Sequence, residues 1–424
     1  MYNFDKPTER RNTNCMKWDE PHPALTASSS EEGQHDLIPL WVADMDFEAA
    51  PCIIEALRRR IEHGVFGYSF VPESYYHAVI DWFQRRHRWT ISREWMLYTS
   101  GVVPAISATL KALTMPGERV LVLTPVYNCF FSSIRNNGCE VLCSPLVVRN
   151  AGVQECRSAD NTLQEKNPQK HSSELLHFYT PTLLTYEVDW QDFETKCADE
   201  KTTVFLLCNP HNPAGRVWTR EELQRMADIC HRHHVRVVSD EIHCELVMPG
   251  HTFVPFGTIE SFSVICNSPS KSFNTAGLQI ANIICTDAET RRRIDRAINI
   301  NETCDVNPFG PVALEAAYNE GEAWIDELNG YLWGNYLALK EFFAEHLPQL
   351  KVFQLEGTYL VWIDITATGL SADALEELIL REARVWVNSG TMYGSEGFIR
   401  INIATQRARL MEGLQRIASV MSKE

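Results

Sequence analysis

The sequence predicts an α/β fold built on a mostly parallel sheet covered on both faces. Short runs rich in Val, Ile and Leu recur through the first 300 residues, and segments of helical periodicity fill the gaps between several of them. The composition agrees: 424 residues, 45 % hydrophobic and 22 % charged, describe an ordinary globular chain long enough for two or three domains.

The candidate strands are Arg119 to Thr124, Val141 to Val148, Thr203 to Cys208, Val235 to Ser239, Phe262 to Asn267 and Ala281 to Cys285. Their largely apolar character suits strands buried on both faces. Two helices have clear starts. Val102 to Leu113 carries Pro104 near its beginning, where a missing N–H costs little. Thr219 to His234 opens with Thr219 and Glu222 at capping-box spacing.

Past Ile300 the pattern changes. Gly310 to Glu345 is largely helical, Gly357 to Asp364 is strand-like, Ala372 to Glu382 is helical and Gly397 to Ile403 is strand-like again. This reads as a smaller α+β lobe over 301–424, after a large part over 46–300, with an N-terminal segment (1–45) packing on the small lobe. The polar, aperiodic stretch from Ala151 to Ser173, inside an insertion over 149–180, is expected to be a surface loop. No internal repeat is evident.

The net charge of −16, from 39 basic and 55 acidic residues, argues against a general nucleic-acid or anionic-membrane surface. It leaves room for one locally positive anion site. The start, Met1 to Lys6, is charged and lacks the apolar stretch of a signal peptide. No run of about 18 apolar residues predicts a membrane helix. Thirteen cysteines, an odd number without a CxxC pair or zinc-site spacing, suggest reduced thiols, no metal and a cytoplasmic setting.

Four short motifs carry chemistry. Ser100-Gly101-Val102-Val103-Pro104 precedes a helix, whose free N–H groups and positive dipole end suit a phosphate; it also reads as a simple cap. Cys208-Asn209-Pro210-His211-Asn212-Pro213 comes after a strand, at the edge where α/β proteins bind ligands. There Asn212 is either a donor to a phenolate-like oxygen or a turn former. Ser239-Asp240-Glu241 ends an apolar strand; Asp240 needs a partner if buried, for which a protonated pyridine nitrogen would serve, or it caps a helix. Ser268-Pro269-Ser270-Lys271 comes after another strand, placing a lysine behind two hydroxyls that could bind phosphate.

In this order the motifs resemble the fold-type I, PLP-dependent enzymes, the aspartate-aminotransferase-like family. More narrowly the chain resembles the MalY/PatB-type cystathionine β-lyases (C–S lyases). The narrower likeness rests on Leu40 to Phe47, Phe66-Gly67-Tyr68, Ser100 to Ile106, Pro125-Val126-Tyr127, Cys208 to Val217, Ser239 to His243, Ser268 to Leu278 and Glu356 to Tyr359. It covers nearly the whole chain outside about 149–180.

The resemblance implies a seven-stranded, mostly parallel sheet plus the smaller lobe, and pyridoxal 5'-phosphate as cofactor. It casts Lys271 as the Schiff-base lysine, Asp240 as partner of the pyridine nitrogen and Asn212 as partner of the ring oxygen. Tyr127 would stack on the ring and touch substrate, as Asn212 would. Gly101, the Val102 and Val103 N–H groups, Ser268 and Ser270 would bind phosphate. Tyr68 would reach the phosphate of the neighbouring subunit in a homodimer with shared sites. Arg400 would clamp the substrate carboxylate, a task suited to its two-pronged head. His243 stands where aminotransferases usually carry Tyr, and Gln279 where many carry Arg; both favour a lyase.

The implied reaction is α,β-elimination: the released Lys271 amine takes the Cα proton and a thiolate leaves Cβ. L-Cystathionine or a related S-substituted cysteine would give a thiol, pyruvate and ammonia. The rivals are a class I/II aminotransferase and a regulatory protein that keeps the PLP fold as a partner-binding surface.

Overall fold

The computed structural model describes residues 2–22, 25, 36–151, 183–300 and 305–422. Seven strands form the main sheet: β1 (Met96–Thr99), β2 (Arg119–Thr124), β3 (Glu140–Pro145), β4 (Thr202–Cys208), β5 (Arg236–Asp240), β6 (Val264–Asn267) and β7 (Ala281–Cys285). Their spatial order is β1-β7-β6-β5-β4-β2-β3. Only β7 runs against its neighbours in this sheet. The family-implied seven-stranded, mostly parallel sheet is present, within an α/β fold.

Alternation along the strands builds two cores. Val120, Val122, Val204, Leu206, Val238, Val264 and Ile283 point to one face, against the helix α1 (Val102–Leu113). Leu121, Leu123, Phe205, Leu207, Val237 and Ile265 fill the other. The helix α2 (Arg220–Arg232) begins with the expected capping box: the Thr219 side chain accepts from the Glu222 N–H, and Glu222 reaches back to the Thr219 N–H.

Val141 to Val148 is not one strand. Pro145 cannot donate to a ladder, and the chain leaves the main sheet there. Val147–Ala151 pairs instead with Leu183–Glu187 as a separate two-stranded sheet. Arg149 and Asn150, read from sequence as part of an insertion, are therefore ladder residues; 152–180, the rest of that expected insertion, lies outside the described residues. The helical stretch from Gly310 divides at Gly321 into α3 (Gly310–Glu320) and α4 (Glu322–His346). The helix at Ala372–Leu378 continues into a π turn over Ile379–Ala383.

A second, antiparallel sheet comes from the C-terminal part: β8 (Lys351–Val352), β9 (Leu360–Asp364), β10 (Asn388–Ser389) and β11 (Phe398–Asn402), in the order β8-β9-β11-β10. Ile38–Pro39 pairs in parallel with Val385–Trp386, so the chain just before residue 40 is tied to this part. Among the described residues no helix is long and apolar enough to cross a membrane, and every described cysteine is free.

Candidate active site

The parallel strands end together, and the segments leaving those ends enclose one cavity of about 190 Å³. From β1 come Ser100, Gly101 and the start of α1; from β2, Tyr127; from β4, Cys208 and Asn212; from β5, Asp240, Ile242 and His243; from β6, Ser270 and Lys271. Ala43, Ala276, Gln279 and Ile280 complete the lining.

At the first turn of α1 the Val102 and Val103 N–H groups have no carbonyl to meet, because the helix ladder begins with Ala105 N–H to Gly101 O (2.9 Å). No acidic residue stands in that turn and no side chain caps it. The positive end of the helix is open to an anion.

The loop after β4 is braced from inside. His211 N–H meets Arg216 O and Gly215 N–H meets His211 O, both at 2.8 Å. The His211 ring holds the Pro125 carbonyl at 2.8 Å, and burial lowers its pKa to about 4, so the ring is neutral. Gly215 has φ +69°, and a Cβ there would meet the Leu355 side chain at 3.0 Å, which explains a glycine.

Asp240 is buried, with Oδ1 accepting from the Ile242 N–H at 3.1 Å. Burial raises its pKa to about 7. Burial, then the nearby charges of Lys271 and Arg400, keeps His243 neutral. Burial raises the Tyr127 phenol as well, with Cys129 and Asp240 adding to it. The Lys271 amine is pushed below its ordinary value, chiefly by burial, against the pull of Asp44.

Above Lys271 runs a strap, Leu40 to Phe47, whose carbonyl oxygens are all held. Lys271 Nζ donates to Ala43 O (2.6 Å), as does Tyr359 Oη (2.9 Å). Arg400 Nη2 and Asn388 Nδ2 donate to Trp41 O (2.8 and 3.0 Å). Asn402 Nδ2 serves Val42 O and Asp44 O, and Asn274 Nδ2 serves Met45 O and Phe47 O. Leu40 O and Asp46 O take Asn402 N–H and Gln406 Nε2. Buried Asp46 and half-buried Asp44 anchor the strap through Arg10 (2.9 and 2.7 Å), with Lys17 Nζ 3.2 Å from Asp46.

Ser268 and Arg400 do not line this cavity, and Tyr68 was expected from a neighbouring subunit. Ser268 is buried behind the cavity, its hydroxyl donating to Ile280 O and accepting from the Ser270 N–H at 3.1 Å, so it shapes the turn that presents Ser270. Tyr68 is 97 % exposed and outside the cavity of its own chain. Arg400 does not line the cavity, because its Nη groups are engaged by Trp41 O and by Asn212 Oδ1 (3.1 Å); Asn212 links it to the lining. Among the described residues neither Asp240 nor Arg400 enters an ion pair, and the buried Arg400 Nε has no partner.

Sequence reasoning gave no role to Ala43 and Tyr359. A backbone acceptor leaves no mark on residue type; the only signal was that both lie in runs that carried the family resemblance, Leu40 to Phe47 and Glu356 to Tyr359.

The model of one family, described as aminotransferase class I and II, matches residues 35–417. The chain belongs to this family. Within the class I and II aminotransferase family it is 37 % identical to the cystathionine beta-lyase PatB of Bacillus subtilis, over 99 % of this chain and 100 % of that one. The structure of cystalysin from Treponema denticola, which contains a pyridoxal 5'-phosphate cofactor, superposes with a TM-score of 0.87 at 30 % identity, covering 100 % of this chain and 99 % of the other. The PLP-bound C–S lyase of Staphylococcus hominis gives 0.82 at 29 % identity, with all of both chains covered.

The site of this family member fits such a cofactor on its own features. An open helix start meets the needs of a phosphate, and a buried carboxyl that makes no ion pair among the described residues meets those of a protonated ring nitrogen.

Proposed function

We propose that this chain is a PLP-dependent carbon–sulfur β-lyase that cleaves L-cystathionine or related S-substituted cysteines to a thiol, pyruvate and ammonia. The observation that carries the reading is a pair of buried charges beside Lys271 that enter no ion pair among the described residues: the Asp240 carboxyl and the Arg400 guanidinium. A buried charge without a partner is costly, so each implies a ligand group of opposite sign. A protonated pyridine satisfies Asp240, and the carboxylate of an amino acid satisfies Arg400.

When bound, the cofactor withdraws electrons from the Cα of the amino acid. The chain's own groups do the rest. Val102, Val103, Gly101, Ser100 and Ser270 would hold the phosphate. Asp240 would pair with the ring nitrogen and keep it protonated. Asn212 would meet the ring oxygen, with neutral His243 close by, and Tyr127 would pack against the ring. Lys271 would hold the cofactor, and its amine, once free, would take the Cα proton of an amino acid whose thiolate leaves Cβ. The lowered pKa of Lys271 leaves more of it as free base near neutral pH.

Tyr68 supports a homodimer. Its ring stands in solvent beside exposed Val65, Phe66 and Phe70, a run of apolar surface of the kind that subunit contacts bury, and from such a contact it would reach the phosphate in the other subunit. The free cysteines fit a reducing, cytoplasmic setting.

Thiol release from a panel of S-substituted cysteines, monitored with a thiol reagent, tests the assignment. Release that requires the cofactor supports it; a cofactor-loaded protein that liberates thiol from none of them overturns it.

A further inference from the structure

Arg400 can grip a carboxylate with two prongs only if the plane of its guanidinium is fixed. Two contacts lie at its edge, Nη1 to Asn212 Oδ1 (3.1 Å) and Nη2 to Trp41 O (2.8 Å). The face carries a third. The ring of Tyr393 lies 4.7 Å from Cζ, as a buried cation–π contact.

Tyr393 is itself pinned. It is 1 % exposed, its backbone carbonyl accepts from the Val126 N–H (3.0 Å), and its ring packs edge-to-face with Trp362, the centroids 5.7 Å apart. Its hydroxyl accepts from Asn388 Nδ2 at 2.9 Å, and the same amide nitrogen donates to Trp41 O at 3.0 Å. Asn388 thereby ties the residue on the face of Arg400 to the carbonyl at its edge. Burial raises the Tyr393 phenol, which keeps the ring neutral under the cation.

We propose that Tyr393 is a positioning residue for substrate binding: its ring face, anchored through Asn388, orients Arg400 toward the substrate carboxylate and so sets affinity for carboxylate-bearing ligands more than the rate of chemistry. The inference rests on the reading of Arg400 as the carboxylate clamp.

The test uses the cofactor-loaded enzyme and two ligands without a leaving group, glycine and glycinamide, which differ in the carboxylate. Their affinities are read from the cofactor absorbance. Tyr393→Leu should weaken glycine by about 10- to 30-fold, the size of a desolvated cation–π contact, and leave glycinamide near its original affinity. KM for L-cystathionine should rise in parallel while kcat changes little. Tyr393→Phe, which keeps the ring, should recover most of the glycine affinity. Arg400→Lys separates the two layers. If it leaves glycine binding unchanged, the clamp reading fails and the inference with it. If it weakens glycine while Tyr393→Leu does not, or while Tyr393→Leu weakens both ligands equally, the clamp stands and the role of Tyr393 is overturned.

Discussion

Lys271 and Tyr359 donate to one oxygen, the carbonyl of Ala43, at 2.6 and 2.9 Å. The amine is therefore held by the strap and, among the described residues, makes no ion pair with a carboxylate. That contact, together with burial, suits a nitrogen that must pass between cofactor and substrate Cα without being locked as an ammonium.

If Lys271 is that nitrogen, borohydride should fix the cofactor to the chain at this position, as peptide mapping would show. Lys271→Ala should take up the cofactor without being fixed to it and should lose turnover. Full activity in that variant would refute the assignment.

Asp240 should matter through its charge. Asp240→Asn keeps the shape and removes the ion. Loss of one member of a buried pair costs about 3–5 kcal/mol, so kcat should fall on the order of 10²- to 10⁴-fold. The check is steady-state kinetics at saturating cofactor; a change of less than about threefold would contradict the role.

Cofactor-free protein should lose stability as pH rises from about 6.5 to 8. Asp240 and Glu241 adjoin at the end of β5, both buried, with pKa values raised by burial to about 7 and about 8. The unfolded chain has already released those protons by about pH 5. The folded form thus binds more protons across this window, and stability falls until both groups ionise. Neutral His211, with its pKa near 4, acts in the opposite sense only below about pH 6.5, and the lowered Lys271 amine offsets part of the fall. Bound cofactor gives the Asp240 carboxylate a cation, so the slope should flatten. Melting temperatures of both forms across the window check this; a cofactor-free protein that melts higher at pH 8 than at 6.5 contradicts it.

Thr219 caps α2 away from the cavity. Thr219→Ala should cost about 1 kcal/mol of stability, measured by denaturant unfolding, with kcat at saturating substrate preserved.

The strand ends explain why so much of the site could be read in advance. Asn212, Asp240 and Lys271 each stand at or just past the end of an apolar strand, and parallel strands bring those ends to one edge whatever their spacing in the chain. The course of Val141 to Val148 was hidden because Pro145 sits in a run whose apolar pattern continues on both sides. Arg400 looked like a free clamp because sequence does not show that its prongs already hold Trp41 O and Asn212. The strap was illegible for a related reason: its work is done by eight carbonyl oxygens, which every residue type supplies.

The most direct measurement is a product count for L-cystathionine with cofactor and no added 2-oxo acid. Pyruvate, homocysteine and ammonia in equal amounts, formed over many turnovers, are the expected result. Turnover that stops without a 2-oxo acid and resumes when one is supplied, with the amino group passing to it and no thiol released, would contradict the lyase assignment.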